Sequence, residues 1–87
     1  MKKGYEIVAW FYDKLNAEYN CDQIHSWLAL RSIEKETEKA FLMDFLKVHY
    51  TDNDVSETQV KIWVPKSCVN FAGRAYPGIN RIVLESN

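Results

Sequence analysis

Residues 39–65 decide the fold, and they comprise KAFLMDFLKVHY (39–50), TDND (51–54) and VSETQVKIWVP (55–65). In the last part, apolar residues alternate with a second set, a period of two that is typical of a β-strand. The two sets are Val60, Ile62 and Val64 against Gln59, Lys61 and Trp63. Residues 51–54 are turn formers, because Thr, Asp and Asn side chains hydrogen-bond to nearby backbone. The segment therefore predicts a long antiparallel hairpin.

The first arm of this hairpin also alternates. One set is Ala40, Leu42, Leu46, Val48 and Tyr50, and the other is Phe41, Met43, Phe45, Lys47 and His49. A helix through residues 37–49 is the alternative, because Phe41, Phe45 and Val48 also share a helical face. The hairpin is the more natural assignment, since turn formers separate two alternating arms.

The chain after the hairpin contains several breakers. Pro65 cannot donate to a strand ladder, so it should end the second arm or lie on an edge. We expect a short turn over residues 67–71 and a loop at Gly73 and Pro77–Gly78. The apolar residues 81–84 (RIVL) should return as a final strand.

The N-terminal segment predicts an amphipathic helix over residues 4–19. Apolar residues recur there at steps of three and four, which places them on one helical stripe. They are Tyr5, Val8, Tyr12, Leu15 and Tyr19, widened by Ile7 and Phe11. Asn20 should end this helix, because Asn tolerates the left-handed backbone conformation.

Residues 24–33 (IHSWLALRSI) fit two structures. Ile24, Trp27, Leu28 and Arg31 have helical spacing, whereas alternate residues from Ile24 to Leu30 fit a strand. We prefer the strand, partly because the charged stretch that follows, residues 34–39, is typical of a turn or of the entry to a strand.

One helix and about four strands predict an α+β fold: an N-terminal amphipathic helix packed on a small antiparallel sheet, or on a partly open barrel, with a long central hairpin. The 87 residues, 47% hydrophobic and 26% charged, fit a single domain spanning 1–87. Cys21 and Cys68 lack metal-ligand spacing, which favours reduced thiols. Without an apolar run long enough to span a bilayer or a signal-peptide pattern, the sequence indicates a cytoplasmic protein.

The stretch ETEKAFLMDF, a turn, and then IWVPKS resemble a small β-module found in uncharacterised proteins of bacteriophages and mobile elements. The matching residues are Thr37, Lys39, Ala40, Leu42, Ile62, Trp63, Val64, Pro65, Lys66 and Ser67. The resemblance covers about residues 33–69. It implies a hairpin fold and a bacterial or phage-infected host cell, and it implies no particular activity.

The residues that commonly carry catalysis do not form a recognisable motif. His25 and His49 fall in no metal or nucleophile pattern, and Cys68 has no identifiable base. The carboxylates at Glu34, Glu36 and Glu38, and those at residues 52 and 54, are expected to be solvated; the second group lacks the glycine and final glutamate of a calcium loop. We therefore expect no enzyme activity, metal or cofactor.

One grouping has a coherent binding rationale. Aromatic rings stack on bases while neighbouring cations contact phosphates, and the C-terminal third has four Lys or Arg against one Glu. The candidate binding residues are Lys61, Trp63, Lys66, Arg74, Tyr76 and Arg81. Trp63 alternates with the apolar set of its strand, so it should point away from the core, or into a second layer.

Two functions fit these observations. The first is a small module that binds a protein partner, such as an accessory factor or an inhibitor of host machinery; residues 1–59 carry eleven acidic against seven basic residues and suit a basic partner. Pairing with a second copy through a hairpin edge belongs to the same class. The alternative is single-stranded nucleic-acid binding through the C-terminal third. The net charge of −1 favours the protein partner.

Overall fold

The structure, a computed structural model of the chain, describes residues 2–72 and 78–85, with the side chains of residues 4–71 and 78–84. In chain order its elements are β1 (Lys2–Ile7), α1 (Ala9–Glu18), β2 (Ser26–Glu36), β3 (Ala40–Tyr50), β4 (Val55–Pro65), a 3₁₀ turn (Lys66–Cys68), β5 (Val69–Ala72) and β6 (Arg81–Glu85). The helix found in this part of the chain is too short and too polar to cross a membrane.

The predicted hairpin is confirmed. β3 and β4 pair antiparallel without interruption, with Ala40 opposite Pro65 and Tyr50 opposite Val55. Pro65 ends the second arm, as its missing N–H requires. The helical alternative for residues 37–49 is wrong, because β3 pairs with β2 on one side and with β4 on the other.

β2 occupies the other side of β3, which confirms a strand in the region predicted, residues 24–33. It runs from Ser26 to Glu36, so the first part of the charged stretch 34–39 belongs to the strand and not to the turn. The sheet order is β2-β3-β4, so β3 is central. The pairing register shifts at Arg31 and again at Glu34. Each shift leaves one extra residue on β2, and such bulges increase the local twist of a sheet.

This sheet buries one of its two faces, which we call the core face. Phe41, Met43 and Phe45 of β3 are buried there, and Ile62 and Val64 of β4 are buried opposite them. The other alternating set of β3 is at most half-buried and defines the outer face. The alternation in the sequence therefore identifies the two faces of the sheet correctly. The set that contains Phe41, Met43 and Phe45 faces the core.

The N-terminal prediction is partly wrong. The helix begins only at Ala9, and residues 2–7 form β1. Tyr5 and Ile7 lie on one side of this strand, which is the period-two pattern hidden within the helical stripe. Strand pairing with distant segments overrides the local helical spacing. The helix end is confirmed, because Asn20 has a φ of 59°.

A second antiparallel sheet has the order β5-β1-β6. In it Tyr5 lies between Phe71 and Ile82. The turn expected over residues 67–71 is shorter than predicted, since Val69–Ala72 is a strand, whereas the final strand over residues 81–84 is confirmed. Of the predicted loop, Gly78 forms a tight turn with Arg81, and residues 73–77 lie outside the described residues.

The helix packs against β2 and satisfies its edge. The Tyr12 hydroxyl donates to the Leu28 carbonyl at 2.7 Å, and the Leu28 N–H donates to Asn16 Oδ1 at 3.0 Å. Burial raises the pKa of the Tyr12 phenol, which keeps it a donor. Further along the same edge, the Leu30 N–H donates to the Ile79 carbonyl at 2.8 Å. The helix and the chain before β6 thus cover this edge of the sheet.

The two sheets share one hydrophobic core. Tyr5 of β1 contacts Phe41 of β3 edge-to-face, with ring centroids 5.8 Å apart. Buried side chains from the helix and both sheets form a single cluster. The α+β prediction is confirmed, and the sheets in the described part of the chain form an open arrangement.

Candidate functional site

The outer face of the β2-β3-β4 sheet presents Trp63. Val60, Ile62 and Val64 turn towards the core face, so Trp63 points the other way, and half (50%) of its surface is exposed. It lies opposite Leu42 of β3. Of the two orientations left open by the sequence, the structure places this tryptophan at the surface.

Apolar residues lie on all three strands of this face, in two groups separated by the pair Asp44 and Lys61. Those of β2 and β3 are half-buried, which is unusual for the solvent side of a small sheet. We call them, together with Trp63, the outer stripe: Trp27, Ala29, Leu42, Leu46, Val48 and Trp63. A shallow depression of about 360 Å³ lies beside Leu46, between Asp44 and Gln59. Large apolar side chains that share one accessible face are typical of a protein interface.

Polar contacts cross the outer stripe between Leu42 and Leu46. Lys61 Nζ donates to Glu34 Oε1 at 2.9 Å, and Gln59 Nε2 donates to Asp44 Oδ1 at 2.9 Å. The hydrogen bond with Glu34, and the charges of Glu34 and Asp44, raise the pKa of Lys61. Lys61, the basic residue nearest to Trp63 on β4, therefore already lies close to two carboxylates.

The other predicted binding residues lie elsewhere. Lys66 forms an ion pair with Glu36 and stands 5.1 Å from the centre of the Phe41 ring, near the crossing of the two sheets. Arg81 forms an ion pair with Glu6 on the β5-β1-β6 sheet. The remaining two, Arg74 and Tyr76, lie outside the described residues. Of the four candidates that the structure describes, only Lys61 and Trp63 lie on one face.

A second aromatic site was missed in the sequence. Phe71 of β5 is 62% exposed, and its ring lies 5.3 Å from Tyr5 and 6.4 Å from Phe41. A groove of about 240 Å³ opens beside Tyr5 and Phe41, with Ile33 and Leu84 in its wall. The spacing of Val69 and Phe71, two residues apart, was the available signal for a strand at this place. Its pairing with β1 was needed to recognise the aromatic site.

The residues considered for chemistry are dispersed. His25 is exposed beside the Asp22 carboxylate, and His49 lies on β3 opposite Ser26. Cys21 and Cys68 are both buried and free. Among the described residues, no three His, Cys, Asp or Glu side chains stand close enough to hold a metal ion.

Comparison with protein-family models, with curated proteins and with solved structures finds no match to this chain. The resemblance to a phage and mobile-element module therefore stays a prediction. Its two halves do lie side by side, since the Lys66 N–H donates to the Lys39 carbonyl and Ala40 pairs with Pro65.

Proposed function

We propose that this chain is a small non-enzymatic interaction module that binds a protein partner through the outer face of its β2-β3-β4 sheet. The partner is a component of host machinery, which the module assists or inhibits. In line with the resemblance of residues 33–69, we place the protein in a phage or mobile element, acting in the bacterial cytoplasm.

The observation that carries this proposal is the outer stripe. Trp63 is half exposed, Leu42 opposite it is half-buried, and the half-buried Leu46 lies further along β3 on the same face. An accessible tryptophan opposite an aliphatic side chain, on a face that carries further apolar residues, matches the anchor residues that dominate binding energy at protein interfaces. The Asp44 carboxylate lies between Leu42 and Leu46, the Glu34 carboxylate bonds to Lys61, and both suit a partner that has basic residues beside apolar ones.

Charge separates this proposal from nucleic-acid binding. Lys61, Lys66 and Arg81 each contact a carboxylate, namely Glu34, Glu36 and Glu6. Affinity for nucleic acid comes mainly from cations that neutralise phosphates. Cations already paired with carboxylates contribute less of that affinity, so the protein partner is favoured.

The test is affinity capture from a bacterial host lysate with wild-type protein and Trp63→Ala. We expect a partner that wild type captures and Trp63→Ala loses, with binding at least roughly thirtyfold weaker, since an anchor tryptophan contributes about 2 kcal/mol or more. Trp10→Ala is the matched control, because Trp10 is 64% exposed but lies on α1. Circular dichroism verifies that both variants fold.

Two results would overturn the proposal. One is equal capture by wild type and Trp63→Ala. The other is the absence of any captured protein, together with a rise in mass when a single-stranded oligonucleotide is added at low salt. That rise, if it is lost in Trp63→Ala and Lys61→Ala, would assign the same face to nucleic acid.

A further inference from the structure

The free edge of β4 is the starting point. β4 is the last strand of the order β2-β3-β4, and within residues 2–72 and 78–85 no other strand pairs with it. It runs for eleven residues, from Val55 to Pro65, and its pairing with β3 has no bulge. A long regular edge of this kind is a template for another strand, unless the protein blocks it.

The hydrogen bonds at both ends of the hairpin show which β4 residues face this edge. At the turn, Thr51 and Asp54 exchange backbone hydrogen bonds, and at the other end the Lys66 N–H donates to the Lys39 carbonyl. Hydrogen-bonded pairs occur at every second position of an antiparallel ladder. Both ends indicate that the even-numbered residues of β4 bond to β3. The odd-numbered residues therefore turn their N–H and C=O groups towards the free edge: Val55, Glu57, Gln59, Lys61 and Trp63.

The side chains at these positions are self-complementary. Gln59 is their midpoint, and Glu57 and Lys61 lie at equal distances on either side of it. Val55 and Trp63 lie one step further out, and both are large exposed apolar residues, at 42% and 50%. An antiparallel copy of the strand centred on Gln59 places each charge opposite its counter-charge and each apolar residue opposite the other.

We infer that two copies of this chain pair through β4, antiparallel, with a two-fold axis at Gln59. In this register Glu57 of one copy lies opposite Lys61 of its partner, and Val55 lies opposite Trp63. The two three-stranded sheets become one six-stranded sheet. A two-fold, self-complementary interface is the commonest arrangement of protein dimers.

Neighbouring registers are less favourable. A two-fold axis at Lys61 sets two lysines opposite each other, and an axis at Glu57 sets two glutamates opposite each other; like charges in directly opposed positions destabilise a sheet. An axis at Val60 sets Glu57 opposite Trp63 and leaves both Lys61 side chains facing Gln59. Only the axis at Gln59 pairs both charges and both apolar residues.

The existing contact of Lys61 is compatible with this register. Its ammonium bonds to Glu34, which lies on β2 two strands away, and half of its side chain remains exposed. A second carboxylate, from Glu57 of the other copy, approaches from the opposite side. The hydrogen bond with Glu34 and the nearby carboxylates raise the pKa of Lys61, because they favour its charged form.

This inference does not rest on the proposed function, although the two share Trp63 and Lys61. Pairing at the edge uses backbone groups in the plane of the sheet and places the β4 side chains of the two copies next to each other, whereas the proposed partner lies across the outer face of the sheet. A dimer would double that face, because the outer stripes of the two copies would adjoin. Failure of lysate capture leaves the dimer standing, and a monomeric protein leaves the proposed partner standing.

The first measurement is the mass of the purified full chain as a function of concentration, by light scattering or sedimentation. The monomer mass is 10.2 kDa. A strand-edge interface is small, so we expect a dimer that dissociates on dilution. A protein that stays monomeric over the whole concentration range, up to millimolar, would overturn the inference.

The register is tested with Glu57→Lys and Lys61→Glu, studied apart and then mixed. Each variant alone places like charges opposite each other twice, so its self-association should weaken by about tenfold or more. In the mixture every introduced charge meets its counter-charge, so a one-to-one heterodimer should form at the wild-type concentration. Variants that dimerise alone as well as wild type, or a mixture that stays monomeric, would exclude this register.

Charge-matched controls are Glu38→Lys and Lys39→Glu, whose side chains are exposed in the turn between β2 and β3. Both should dimerise like wild type, and loss of dimer in either would show a general charge effect and contradict the assigned edge. Amide exchange gives an independent readout. The outward N–H groups of Glu57, Gln59 and Lys61 should become protected as concentration rises, and unchanged exchange would count against the dimer.

Discussion

Asn16 shows how a single buried amide connects two elements. It is completely buried, its Nδ2 donates to the Tyr12 carbonyl, and its Oδ1 accepts the Leu28 N–H. A buried backbone N–H without a partner is costly, so an edge residue of β2 needs this acceptor. The side chain thereby fixes the distance between α1 and β2.

We expect Asn16→Ala to lower the free energy of unfolding by about 2 kcal/mol or more, because the Leu28 N–H loses its acceptor in a buried site. Urea denaturation followed by circular dichroism measures this change. Asn70→Ala is the control, since Asn70 is exposed on β5, and it should alter stability by less than about 0.5 kcal/mol. Equal effects of the two substitutions would show that the Asn16 contacts contribute nothing specific.

Asp22 organises the loop between α1 and β2. Its Oδ1 accepts the backbone N–H groups of Ile24, His25 and Ser26, at 2.8, 2.7 and 3.0 Å. These hydrogen bonds hold the pKa of Asp22 well below its ordinary value, because they favour the charged carboxylate. Gln23, which lies between Asp22 and the first of these N–H groups, has a left-handed backbone with a φ of 63°.

The lowered pKa of Asp22 predicts a pH dependence of stability. Its stabilising contribution is complete above the unfolded pKa of about 4 and is lost as the pH falls towards the lower folded pKa. Urea denaturation at a series of pH values from about 5 down to 2 should therefore show a steeper loss of stability in wild type than in Asp22→Asn. Parallel curves for the two proteins would rule out this role.

At the scale of the element, α1 ends through a defined hydrogen-bond motif. The Asn20 N–H donates to the Ala17 carbonyl, and the Cys21 N–H donates to the Asn16 carbonyl, with Asn20 in the left-handed region. This is a Schellman arrangement, which satisfies carbonyls that the helix itself leaves unpaired. It turns the chain back towards β2.

Substitutions at Asn20 test this helix end. We expect Asn20→Val to lower stability by about 1 to 2 kcal/mol, because a β-branched residue is strained at positive φ. Asn20→Gly should be neutral or slightly stabilising, since glycine adopts this conformation freely. Thermal and urea unfolding of the two variants provides the comparison, and a valine variant as stable as the glycine variant would contradict the assignment.

At the scale of the whole molecule, the two sheets depend on one core. Phe41 of β3 is buried and contacts Tyr5 of β1. Ile7, which also belongs to β1, is fully buried in the same core. Neither three-stranded sheet has a separate cluster of buried residues among those described. We therefore expect the molecule to unfold as one unit.

Unfolding curves from tryptophan fluorescence and from far-ultraviolet circular dichroism should coincide, since both probes report one transition. Phe41→Ala should destabilise the whole molecule by about 3 kcal/mol or more, as large buried aromatic truncations do. Phe71→Ala is the control, because this ring is mostly exposed, and it should cost about 1 kcal/mol. Two separate transitions in wild type would show that the sheets are independent.

The candidate site was predictable only where strand alternation decides the direction of a side chain. Trp63 and Lys61 share the outer face because they are two residues apart on β4. The partners of the cations were not predictable, because Glu34 and Lys61, Glu36 and Lys66, and Glu6 and Arg81 come from different elements of the chain. Local patterns carry no information on which distant strands meet.

By itself, the sequence determined the hairpin, its turn, the two faces of β4, the end of α1 at Asn20 and the final strand. Each of these depends on neighbouring residues: a period of two, a cluster of turn formers, or a residue that tolerates positive φ. Only the tertiary structure decided that residues 2–7 are a strand. Their pattern fits both a helix and a strand, and the choice between them comes from hydrogen bonds to β5 and β6, more than sixty residues along the chain.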